Sequence, residues 1–172
     1  MDQFLLEESH PWLEQELVHW QEVAKGRARD GKETVWQADL IALLEKENLT
    51  WSSLQVPPQV GESPWFAALP KREQMLIGYK MAVHSGIHSL EVTQSIERAL
   101  VSKGDVFNTF TGQNQIMLMP GHFPSFRLLS GYERLLMHGY DESFLKVATS
   151  YTQWRHRFIP STTLGSEHRF GL

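Results

Sequence analysis

The chain has 172 residues, 41% of them hydrophobic, with 20 acidic against 16 basic side chains and a net charge of -4. That length and apolar content suit one domain with a real core and exclude wholesale disorder. The lack of cysteine excludes disulfide scaffolds, thiolate metal sites and cysteine nucleophiles.

Helical spacing dominates the first half. Leu13, Leu17, Trp20 and Ala24 form a stripe over Pro11 to about Ala28, widened by Trp12 and Val23, and Glu14, Gln15, Glu22 and Lys25 fall off it. Ser9 and His10 before Pro11 suit a helix start, and Gly26 and Asp30-Gly31 end the pattern. A second helix is predicted over Thr34–Asn48. Thr34 and Gln37 have capping-box spacing, and Trp36, Leu40, Leu43 and Leu44 make the apolar face. Pro57-Pro58 and Gly61 make 49–63 an irregular crossing, since proline lacks the donor a helix needs. Ser63-Pro64 starts a short helical turn through Leu69, which Pro70 ends.

Lys71–His84 is the third long helix, with Met75, Leu76, Tyr79, Ala82 and Val83 inward and a left-handed Gly86 beyond its end. A helix over Ser89–Ser102, carrying Leu90, Val92, Ile96, Ala99 and Leu100, completes an αα-hairpin. From Asp105 to Pro120 neither Val106-Phe107 nor Ile116–Met119 alternates cleanly. The segment fits a small β-hairpin near 105–119, a loop or a short helix. Pro124–His138 reads as a helix with Phe126, Leu129 and Leu136 inward, stopped by Gly139. A last helix runs from an Asp141 cap to Phe158, along Phe144, Leu145, Ala148, Tyr151 and Trp154. The expected fold is therefore all-α: about six helices in a compact bundle of αα-hairpins. Residues 1–158 form a single helical domain and 159–172 a mobile tail.

Metal and catalytic patterns are weak. His84 and His88 have the i, i+4 spacing of two metal ligands, but Gly86 between them breaks the shared helical face. Glu16 and His19 make one Glu-x-x-His, where a di-iron site needs two, and Glu16 is expected on a solvated helix face. Phosphate-binding and serine-nucleophile motifs are missing. No metal or cofactor is expected, and an enzyme has no support from individual residues.

Charge is unevenly laid out. Residues 1–24 hold six acids and no lysine or arginine, after which Lys25, Arg27, Arg29 and Lys32 cluster around Gly26 and Gly31. Arg155 and Arg157 form a second basic place, interleaved with Trp154 and Phe158. The plain reading is a solvated surface. The functional one is a basic patch for an acidic protein segment, because guanidinium groups pair carboxylates bidentately. The near-neutral net charge argues against nucleic acid as the partner. Trp51 and Trp65 flank the proline-rich crossing, where they either pin it to the helices or line a partner groove. No apolar run reaches the roughly 20 residues of a membrane helix, and the N-terminus lacks a signal-peptide pattern. A cytoplasmic chain without membrane insertion is expected.

The order of pieces resembles the soluble cytoplasmic domain of the DotM/TrbA family, a component of type IVB secretion and conjugation coupling complexes. The likeness rests on Trp36–Trp51 with its Leu43-Leu44 and Leu49-Thr50-Trp51, and on Ala68-Leu69-Pro70 opening a helix over Glu73–Val83. It also rests on a late helix with Phe144, Ala148 and Trp154. The resemblance implies a bacterial helical adaptor that helps recruit substrates to a secretion ATPase, with basic residues reading acidic signals. No family motif aligns at Arg27 and Arg29, which are positional candidates only. The expected function is thus a noncatalytic adaptor or accessory protein binding protein partners. The alternatives are a small helical enzyme or ligand- or metal-binding protein using His84, His88 or His122, and a nucleic-acid-associated accessory protein.

Overall fold

The computed structural model describes residues 5–27, 34–104, 107 and 115–139. Along the chain run α1 (Pro11–Arg27), α2 (Thr34–Lys46), a 3-10 turn (Trp51–Leu54), α3 (Pro58–Gly61), α4 (Pro64–Ala67) and α5 (Lys71–Val83). Then follow β1 (Ser89–Glu91), β2 (Val101–Ser102), β3 (Ile116–Leu118), β4 (Arg127–Leu128) and α6 (Gly131–Met137). The fold is mixed α/β, which corrects the all-α expectation.

α1, α2, α4 and α5 lie close to where the sequence puts them. Leu40, Leu43 and Leu44 are buried along α2, and Asn48 ends it with a φ of 53°. Asparagine tolerates that left-handed conformation better than most residues. The irregular crossing keeps enough local order for the 3-10 turn and for α3, whose Pro58 sits at a first-turn position where its missing N–H is harmless. Within α5, Gly78 lies against the crossing: a Cβ there would stand 2.3 Å from the Leu54 carbonyl oxygen. Only glycine admits that approach.

Beyond α5 the helical expectation fails. Ser89–Ser102 is not the second arm of an αα-hairpin but two strands with a bend between them. In the sheet order β2-β1-β3-β4, all neighbours are antiparallel, with Leu90 opposite Val101 on one side and Met117 on the other. β1 is central and buried on both faces, Ser89 and Glu91 included. A strand enclosed on both faces shows no alternation, so Leu90, Val92 and Ile96 imitate a helical stripe. β3 does fall within the span expected to hold a hairpin, yet it pairs with β1 and β4.

The helix expected over Pro124–His138 is cut short by a two-residue strand. β4 occupies its start, and α6 begins only at Gly131, where the Ser130 hydroxyl accepts from the Glu133 N–H (3.1 Å) and Glu133 Oε2 accepts from the Ser130 N–H (2.8 Å). This reciprocal capping box sets the helix start. On α5, Ala82 is exposed rather than inward, while Glu73 and Lys80 are buried. Lys80 Nζ is accommodated by donating to the Glu97 carbonyl at 3.2 Å. One apolar core runs from Leu13 through α2, α5 and the sheet to Leu128. The helix expected over 141–158 and the tail 159–172 lie outside the described residues.

Candidate functional site

α1, the α3–α4 corner and the turn before β4 enclose a cleft of about 490 Å³. Its floor is apolar: Leu13, Trp65 and Phe126 are buried, and Leu17 is half-buried. Ser63 builds the far wall. Its hydroxyl donates to the Phe126 carbonyl (2.9 Å) and accepts from the Trp65 N–H (3.2 Å). One side chain therefore caps α4 and ties it to the approach to β4. Phe66 meets Phe126 edge-on at 6.0 Å behind that wall.

The rim is acidic. Glu14 of α1 and Glu62 beside α3 are exposed and make no ion pair among the described residues. Glu8 is partly compensated, accepting from Ser125 Oγ (2.7 Å) and Arg127 Nε (3.4 Å). Among the described residues no lysine or arginine lines the cleft. The volume is within the usual range for small binding sites. Both lining hydroxyls are engaged, Ser63 with backbone and Ser125 with Glu8.

Behind the cleft lies a buried polar cluster. Arg127 donates to Glu133 through Nη1 (2.9 Å) and Nη2 (2.7 Å). Glu133 Oε1 also accepts from the Leu6 N–H at 2.7 Å. Next to this pair, Glu16 of α1 is only 3% exposed, which corrects its expected place on a solvated face. Burial pushes its carboxyl up to about 7, Arg134 pulling it down and Glu133 pushing it up. Trp20 and the Gly131 backbone also draw it down, yet neither Glu16 Oε2 nor Trp20 Nε1 closes a hydrogen bond of normal geometry.

The expected site residues are scattered relative to this cleft. Trp65 forms part of its floor, while Trp51 is 53% exposed on the 3-10 turn. Lys25 and Arg27 fall in the last turns of α1. Arg29, Lys32, Arg155 and Arg157 lie outside the described residues. The sheet does bring together His88 and His122, whose rings stack at 3.7 Å and 7°. Face-to-face rings direct their lone pairs side by side rather than toward one ion. Among the described residues no group of three or more His, Asp or Glu could hold a metal. His84 stands apart, its imidazole pushed down by burial and by Lys103 and Lys80.

Glu14, Glu62, Leu17 and Phe126 are the site residues that sequence reasoning missed. The acid excess over residues 1–24 was the available signal for Glu14. No helix among the described residues is long and apolar enough to cross a membrane. No protein-family model, curated protein or solved structure matches this chain.

Proposed function

We propose that this chain is a noncatalytic adaptor that holds a short lysine- or arginine-bearing segment of a partner protein in the α1–α4 cleft. The carrying observation is the pairing of the apolar floor, Leu17, Trp65 and Phe126, with the rim acids Glu14 and Glu62, which make no ion pair among the described residues. A lysine or arginine lays its aliphatic stem on such a floor and its charged head against such a rim. The same rim repels phosphate, which disfavours nucleic acid.

A selection of random peptides displayed on the wild-type protein tests this. Peptides combining an apolar residue with Lys or Arg are expected, with affinity at least tenfold weaker for Glu14→Lys/Glu62→Lys and at raised salt. Both sites are exposed, so the double variant should keep the wild-type melting temperature. Recovery of no peptides, or of peptides bound equally by the double variant, overturns the assignment.

The resemblance to DotM/TrbA motivates a cytoplasmic setting in a secretion or conjugation assembly, where a secretion ATPase is the first partner to try. Lys25, Arg27, Arg29, Lys32, Arg155 and Arg157 are proposed, separately, to read acidic partner segments. Equal binding of acidic peptides by wild type and Arg27→Glu/Arg29→Glu would remove that second contact.

A further inference from the structure

Glu16 stands on the same helix as the cleft wall, on the neighbouring flank turned toward α6. Leu13, Glu14 and Leu17 face the cleft, while Glu16 is enclosed against α6. α1 meets α6 in an aromatic contact, Trp12 standing edge-on to Tyr132 at 4.6 Å. A carboxyl at this interface meets Arg134 and Glu133 of α6, and Glu133 is already engaged by Arg127 of β4. From its own helix Trp20 lies beside it. With Oε2 lacking a hydrogen bond, the site holds a neutral carboxyl better than a charged one.

We propose that Glu16 is a protonation-controlled latch: neutral, it lets α1 lie closed on α6, and ionised, it loosens α1 and with it the wall of the cleft. The coupling to a bound segment rests on the cleft reading above, whereas the movement of α1 does not. In the closed state burial holds the carboxyl at about 7, against 4.5 for the free side chain. Protons therefore bind more tightly to the closed form, and rising pH favours opening through that window. Between pH 5.5 and 8 the opening constant should increase roughly 30-fold.

Hydrogen exchange of the α1 amides, corrected for intrinsic rates, reads that constant directly. The expected result is the stated rise in wild type and a flat profile in Glu16→Gln, with cationic peptides released faster at pH 8 than at pH 5.5. Carboxyl titration by NMR in the wild-type protein guards against a misfolded variant, and should place Glu16 near neutrality. An opening constant that ignores pH, an equal rise in Glu16→Gln, or an ordinary carboxyl midpoint overturns the latch. A pH-dependent opening with no peptide bound at any pH leaves the latch standing and sinks the cleft reading.

Discussion

The guanidinium of Arg127 and the carboxylate of Glu133 meet side by side through two hydrogen bonds, with the side chains 3% and 0% exposed. Every Glu133 oxygen has a second partner, Oε1 in the Leu6 N–H and Oε2 in the Ser130 N–H. Such a pair adds little net stability over apolar residues of the same shape, because both charges lose their water. Removing one partner is different, since it strands the other charge. Arg127→Met and Glu133→Leu should each destabilise by about 3–5 kcal/mol in urea unfolding, and the double variant by less than their sum.

Gly78 gives a prediction of steric origin. In Gly78→Ala the new methyl meets the Leu54 carbonyl, a backbone atom with no rotamer to move. A loss of about 1–3 kcal/mol is expected from overpacking, read as a lower urea midpoint at unchanged slope. An unchanged midpoint would mean that α5 and the 3-10 turn are not packed this closely.

Two tryptophans that look equivalent in the chain should behave differently. Trp65 is 8% exposed and supports the cleft floor, so Trp65→Ala should destabilise by about 3–5 kcal/mol. Trp51 is 53% exposed, and Trp51→Ala should change stability by about 0.5 kcal/mol or less. Thermal melts of the two variants separate the cases.

The pH dependence of stability follows from Glu16. Its carboxyl is raised by burial from 4.5 to about 7, so the folded state binds the proton more tightly than the unfolded chain. The stability linked to that proton is fully present below about pH 4.5 and is lost as pH rises through 7. A difference on the order of 3 kcal/mol between the two ends corresponds to this shift. Urea unfolding at pH 5 and pH 8 should show the wild type losing stability that Glu16→Gln retains at pH 8.

Much of the helical half of this fold was open to reading from the chain, because its cues are local. Pro64 and Pro70 bound α4, and the Leu40, Leu43, Leu44 stripe places α2. The sheet was hidden because its strands are two or three residues long, too short to display a period. The Ser130-x-x-Glu133 box did mark the start of α6, and would have separated it from β4. Glu16 was also within reach: Leu13, Glu16, Leu17 and Trp20 follow i, i+3, i+4, i+7 and share one face. What spacing cannot supply is the arrival of α6 over that face. The cleft was less legible still, since Glu14, Glu62 and Phe126 meet only through the tertiary fold.

The hydrogen bond from Leu6 to Glu133 joins positions 127 residues apart. It has a consequence for the order in which the protein is made. Leu6 is synthesised before Glu133, so this bond can close only after residue 133 has emerged and Ser130 has started α6. α2, α5 and the crossing between them can assemble from neighbouring contacts in the meantime. The bond that ties the leading segment to α6 therefore closes over a long loop, which makes it slow to form.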